Sequence, residues 1–398
     1  MQILQSTEAI SGRRAWVIWC ALGAGVFAMF TSEAMAGALL PLIAHNLQIT
    51  IGAASALIWG FAAGQMVGAW AIGMPLSRWS PRLVLSGLLG AFVLVQSTGL
   101  VVPFELAVML RVVAGALMTA YMSTALAFAV RLQPPASAGR AAAIVFAGGT
   151  LGTTVGIPIA TYLGDVFPWR DVFLLDTAVT LLAAICIFTI SPGVRGVERS
   201  SIGELLRPLW NTRLWMTFAT SGLTVGSALL GFAFFSTVLG EKTGLPPATV
   251  TLTLALYGVA SLTGTLVAGR LAPTGATRVV AIGLVILTTA LVSLSIGAGN
   301  VAVAVCSITA IGLSGVALNP ALTVRNIQAG GSRPAVMSIA PTVATAGVFV
   351  ATLSGSVAVS NLGLLAPYWI AALFAVVALG TLVLSVRPSP ADAVDGVR

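Results

Sequence analysis

Two side chains in this sequence are of a type and in a setting that could do chemistry, Glu33 and Arg111. Each interrupts a long apolar run, and a charge held in hydrocarbon costs several kcal/mol unless something is gained from it. Counted at 1.5 Å per residue, Glu33 lies roughly seven residues and Arg111 roughly six from the same-side ends of their runs, which places both about 10 Å below that surface. Desolvation disfavours a carboxylate's charge and a nearby cation favours it, so an acid in such a place can change protonation as its surroundings alternate. Proton coupling needs that behaviour. The plainer alternatives are a fixed Glu33–Arg111 ion pair and, for Arg111, a static bond to the carbonyls of a neighbouring helix. Asp176 lies near a span end and is read as hydrated, and Glu105, Asp165, Asp171 and Glu241 sit at helix ends as solvated groups.

Other chemistries find no residues. His45 is the single histidine and reads as a surface residue of the first outer loop; Lys242 is the single lysine, so no phosphate-cradling loop with its lysine exists. Cys20, Cys186 and Cys306 are isolated, have no metal-ligand spacing, and read as packing residues. The expectation is no enzyme, no metal and no cofactor.

The elements that position the two charges follow from composition. The chain has 398 residues, 58% hydrophobic and only 8% charged, with a mean hydropathy of +1.03; a soluble domain carries about a quarter charged residues. The solvent is therefore lipid. A bilayer core of about 30 Å takes about 20 apolar residues per helix, and the breaks predict spans at 16–40, 53–75, 84–102, 105–130, 139–163, 171–191, 213–239, 248–270, 279–298, 300–324, 335–359 and 364–386. Continuous rather than alternating apolar runs exclude a β-barrel. Residues 1–15 resemble a signal-peptide flank, but the run that follows is long and lacks a cleavage site, so it reads as a retained first helix.

Loop charge tests that count. With the N-terminus inside, the inner loops and tails collect Arg13, Arg14, Arg78, Arg82, Arg131, Arg140, Arg195, Arg199, Arg207, Arg213, Arg270, Arg278, Arg325, Arg333, Arg387 and Arg398, while Arg170 and Lys242 fall outside. This is the positive-inside pattern of a multi-pass inner (plasma) membrane protein with both termini cytoplasmic. The net charge of +8 is topological, and no nucleic-acid partner is implied.

The polar stretch between spans six and seven divides the chain into six-helix bundles at 1–190 and 213–398 joined by a cytoplasmic linker at 191–212. A weak repeat agrees: Gly73 and Arg82 after span two answer to Gly269 and Arg278 after span eight, 196 residues on. Parallel repeats of this kind place a substrate path between them near the midplane. In span five, Gly148, Gly149, Gly152 and Gly156 allow close helix approach, and Pro158 removes a backbone hydrogen bond and predicts a bend.

These residues together resemble the major facilitator superfamily, in its twelve-helix drug:proton antiporter branch of the arabinose-efflux and chloramphenicol-resistance type. Thr31-Ser-Glu33 through Gly37 to Pro41 is similar to that group's first-helix pattern, Arg111 to Gly115 to its fourth-helix motif, and Gly152 to Pro158 to the exporters' fifth-helix motif. The inner loop keeps Gly73, Arg78 and Arg82 but has Ser77 at the family's Asp position, so the usual loop carboxylate is missing. The resemblance implies a monomeric secondary transporter that exports a small organic molecule in exchange for protons, the proton gradient being its driving force. Glu33 would carry the proton, Arg111 would couple it, and Gly152, Gly156 and Pro158 would shape the moving interface. Trp59, Met66, Met118, Tyr121, Met122 and Tyr257 are the expected cavity lining. A proton-independent facilitator or importer of a sugar or nucleoside-like solute is the alternative, and a non-transporting receptor a more remote one.

Overall fold

The computed structural model describes residues 12–132, 135–194, 212–330 and 334–386, with no side-chain detail at 12–14, 135–140, 142–143 and 334–338. The described residues are helical, with no strand among them. In hydrocarbon every backbone N–H and C=O must be satisfied within its own segment, and the helix does this. Much of the linker expected at 191–212 lies outside the described residues, as do Arg195, Arg199, Arg207, Arg333, Arg387 and Arg398.

The first half contains α1 (Gly12–Ala38), α2 (Leu40–Leu47), α3 (Ile51–Ala54), α4 (Ala56–Gly68), a π-helical turn (Ala69–Gly73), α5 (Met74–Leu76), α6 (Pro81–Gly99), α7 (Phe104–Arg131), α8 (Pro135–Leu151), a second π-helical turn (Gly152–Gly156), α9 (Ile157–Val166) and α10 (Trp169–Ile190). The second contains α11 (Thr212–Ala233), α12 (Phe235–Glu241), α13 (Pro247–Gly297), α14 (Val301–Ser314), a 3-10 turn (Val316–Leu318), α15 (Asn319–Gly330), α16 (Pro334–Leu362) and α17 (Ala366–Val386). Eleven stretches among the described residues are long and apolar enough to cross a membrane. Two expected spans, 248–270 and 279–298, fall together in α13, whose 51 residues would extend about 77 Å if straight, more than twice a bilayer core. A kink at Gly275, two residues after Pro273, divides it.

Two compact units form. One comprises Met1–Arg199 with Ala233–Gly240 and Leu245–Gly258; the other comprises Ser200–Phe232, Glu241–Gly244 and Val259–Arg398. Prolines explain how the first unit holds its later segments. Pro41 has no N–H for the Gly37 carbonyl one turn back, and that carbonyl accepts instead from the Ser236 hydroxyl at 3.0 Å. Pro158 likewise cannot donate to Thr154, and here the helix widens into its π turn, with the Thr154 hydroxyl donating to Gly258 O at 3.4 Å. Replacing Ser236 by alanine leaves the Gly37 carbonyl without a donor, so a loss of about 1 kcal/mol is expected, read as a lower midpoint of thermal unfolding of the purified protein.

Within each unit, helices close on glycine. A Cβ on Gly64 would stand 1.8 Å from Val112 O, and one on Gly115 2.0 Å from Phe61 O, so α4 and α7 meet backbone to backbone. Valine at Gly64 is expected to destabilise the first unit by about 1–3 kcal/mol or more, checked by thermal unfolding in detergent. The same design recurs after a fixed shift: a Cβ on Gly148 would lie 2.0 Å from Gly23 O, and one on Gly347 2.2 Å from Gly222 O, both partners moving by 199 residues (23 to 222, 148 to 347). Gly264 against Leu313 O, at 2.3 Å, repeats Gly64 against Val112 O. The repeat visible in the loops is thus also written in the helix contacts, at a slightly different register.

Candidate functional site

A polar layer crosses the first unit between two apolar clusters. On one side pack Met29, Phe61, Phe92, Ala114 and Met118; on the other, Met35, Leu57, Leu100, Trp169 and Phe173. Each helix carries its polar residue between its contributions to the two clusters: Ser32 and Glu33 on α1, Gln96 on α6, Arg111 on α7 and Asp176 on α10. Gln65 on α4 joins them.

Arg111 is the hub. Its Nη1 donates to Ser32 Oγ at 3.1 Å, its Nη2 to Ser32 O at 3.2 Å and its Nε to Leu57 O at 3.3 Å, while the guanidinium lies 4.4 Å over the Phe61 ring. The charge is held by neutral oxygens and an aromatic face, not by a carboxylate. Glu33, half-buried, accepts from Gln65 Nε2 at 3.1 Å, and that amide also reaches Met118 Sδ at 3.4 Å. Glu33 and Arg111 are thus neighbours across Ser32 rather than a hydrogen-bonded pair, each within the other's electrostatic range.

From Ser32 the chain of bonds continues. Its hydroxyl donates to Gln96 Oε1 in a short contact, and Gln96 Nε2 donates to Asp176 Oδ2 at 3.0 Å. The same amide reaches Thr177 Oγ1 at 3.1 Å and Phe173 O at 3.3 Å. Asp176 is buried at 6% exposure, so the expectation that it is hydrated is corrected: the first turn of α10 is sealed by Trp169, Val172 and Phe173, which pack into the core. A cleft of about 60 Å³ nevertheless reaches this layer between α6, α7 and α10, its polar lining being Gln96, Arg111 and exposed Arg170.

The remaining expected residues fall as follows. Gly152 and Gly156 face α1, where added Cβ atoms would meet Phe27 O at 2.6 Å and Thr31 Oγ1, so these glycines fit helix to helix inside the first unit; Pro158 opens α9. Gly73 ends the first π turn beside Ser123, exposed Arg78 follows, and Arg82 stacks 4.5 Å over Phe188. Ser77, at the expected loop acid's position, donates to Met74 O at 2.7 Å. Tyr121 is fully buried and donates to Leu22 O at 3.0 Å; Met118 is buried, and Trp59, Met66 and Met122 are half-buried. Tyr257 is buried edge-on to Phe235.

Four further expectations change. His45 lies on α2, exposed, because Pro41 starts a second helix where a loop was expected. Cys186 and Cys306 are exposed on their helices and so are not packing residues. Arg325, expected in an inner loop, is buried at 4% on α15, donating to Ser385 Oγ at 2.5 Å, with Arg213 Nε on Ser385 O at 3.0 Å. Ser32, Gln65 and Gln96 were not anticipated at all, since neutral polar side chains do not stand out in an apolar run. Glu105, Asp165, Asp171 and Glu241 are exposed.

The family model described as Major Facilitator Superfamily matches residues 22–329. The chain belongs to that superfamily. This major facilitator protein is 30% identical over 368 residues to the chloramphenicol resistance protein of Streptomyces lividans, covering 90% of this chain and 93% of that one. To the inner membrane transport protein YdhP of Escherichia coli K12 it is 28% identical over 323 residues, 80% of this chain and 82% of the other. Among solved structures it is similar to a bacterial homologue of the human lysosomal transporter Spinster, with a TM-score of 0.69 and 14% identity over 96% of this chain and all of that one, and to the human organic anion transporter MFSD10, at 0.61 and 15% over 93% and 99%. The major facilitator chain is thus a multi-pass inner-membrane transporter of a small molecule, not an enzyme.

Proposed function

We propose that this transporter exports a small organic molecule against its gradient in exchange for protons. The observation that carries the reading is Glu33: a carboxylic acid within a membrane-spanning helix, held by a neutral amide and set beside a cation that is bonded elsewhere. Such an acid is free to gain and lose a proton, whereas a locked ion pair is not. Glu33 carries the proton and Arg111 couples it. Under the 199-residue shift Phe232 stands where Glu33 does, so the second half has no counterpart to it and supplies scaffold and substrate surface.

In this reading the kink at Gly275 divides α13 into two spans, giving twelve in bundles at 1–190 and 213–398, with both termini cytoplasmic as the arginine distribution favours. The end of the first unit that carries Leu47 and Arg170 is then external. Trp59, Met66 and Met122 line part of the substrate path, Gly152, Gly156 and Pro158 set the bend beside it, the protein acts as a monomer, and the proton gradient alone drives it without a cofactor. The name of the Streptomyces lividans relative makes chloramphenicol the first compound to try. Expressed in a pump-deficient host, the protein is expected to lower cellular chloramphenicol and to lose that effect when a protonophore is added; accumulation that a protonophore leaves untouched would contradict the proposal.

A further inference from the structure

The polar layer holds two acids and one cation. Arg111 lies within electrostatic range of both Glu33 and Asp176, yet makes its hydrogen bonds to Ser32 and Leu57. Asp176 is the more deeply buried acid, and its side-chain partner is the Gln96 amide. A buried ionised carboxylate without a paired cation is costly, and a buried Arg cannot give up its proton. One cation balances one carboxylate. The neutral form of the layer therefore carries one proton on its two acids, and the second acid is available to take it.

Access distinguishes the two acids. The cleft of about 60 Å³ runs from exposed Arg170 to Gln96, the direct partner of Asp176. Its walls include Trp169, whose buried indole N–H has no acceptor from the protein, although a buried indole usually finds one. Water in the cleft would serve that donor and reach the polar layer. Neither acid lines the cleft itself: Asp176 stands one hydrogen bond behind it, through Gln96, whereas Glu33 lies on the other side of Arg111, against Gln65 and Met118.

The geometry points to Asp176 as a second proton-carrying group, exchanging with external water through the cleft between α6, α7 and α10 and coupled to Glu33 through their shared counter-charge, Arg111. The step is a simple protonation: with the Gln96 side chain turned aside, hydronium from the cleft reaches the Asp176 carboxylate, gives it a proton and leaves water behind. No proton passes along the Gln96 amide. With Asp176 neutral, the Arg111 charge is balanced by ionised Glu33; with Asp176 ionised, Glu33 holds the proton. The charged group facing Asp176 is Arg111, from α7, which also acts on Glu33 of α1; α6 presents uncharged Gln96, and on α10 itself Arg170 and Asp171 lie over a turn away.

This inference rests on the proton-coupled reading, and infrared titration of the purified full-length protein in detergent separates the two. Lowering the pH is expected to raise protonated-carboxyl bands, one lost in Asp176→Asn and retained in Glu33→Gln, another showing the reverse. Leucine at Gly99, a cleft-lining position with room for a side chain, is expected to slow deuterium exchange of the Asp176 band several-fold and to leave the Glu33 band unchanged. That variant keeps Asp176 itself, so it still reports if Asp176→Asn folds poorly. Spectra unaltered by Asp176→Asn, or equal exchange in wild type and Gly99→Leu, overturn the inference while leaving the role of Glu33 standing. Loss of a titrating band in neither acid variant contradicts the underlying reading as well.

Discussion

Glutamine at Glu33 is expected to abolish uphill export while leaving the protein folded and able to exchange substrate down a gradient. The substitution keeps the length and an oxygen acceptor for Gln65 Nε2, so the layer's packing survives. What disappears is the group that changes charge. A ligand or an ion can shift an alternating equilibrium only by its differential affinity for the two states; without a protonatable Glu33 the proton gradient loses its purchase on the cycle. Inverted vesicles test this by comparing energised accumulation with counterflow exchange. Both intact in the variant would remove Glu33 from the mechanism.

Lysine at Arg111 is expected to cost far more than a conservative exchange suggests. The guanidinium serves Ser32 Oγ, Ser32 O and Leu57 O at once and lies over Phe61. An ammonium on a shorter, non-planar head cannot span those acceptors. If two of the three charge-assisted bonds are lost, at about 1.5–3 kcal/mol each, the deficit is about 3–6 kcal/mol, and where it falls on the transport barrier the rate drops by about 10²–10⁴. The cation remains, so a purely electrostatic role for Arg111 predicts near-normal transport by Arg111→Lys, whereas a role in geometry predicts its loss. Initial rates of export in vesicles decide.

The layer shows why some of this molecule is legible in its sequence and some is not. Glu33 and Arg111 could be found because hydrocarbon makes a charge expensive, and depth counted along the chain was enough to put them together. Ser32, Gln65 and Gln96 could not, because serine and glutamine carry no comparable penalty and because the contact between Gln96 and Asp176 joins positions 80 apart. Asp176 was misjudged for a related reason: distance from a span's end measures depth only if the end is wet, and here Trp169 and Phe173 are folded edge to face over it, 6.0 Å apart. Apolar length located α6, α7 and α10 closely, since lipid leaves that signal unmasked. It missed α2, where a proline rather than hydropathy sets the boundary, whereas the gap it left between 270 and 279 contains the kink at Gly275. The glycines of span five were recognisable as close-contact residues, but their partner on α1 is a tertiary fact with no local signal.

The most direct measurement is proton release by the purified protein in lightly buffered detergent solution when chloramphenicol is added, with Glu33→Gln run beside it. Proton-coupled export predicts that the wild type releases protons saturably as the compound binds, and that Glu33→Gln binds it without release. Saturable binding with no proton released by the wild type would contradict the account.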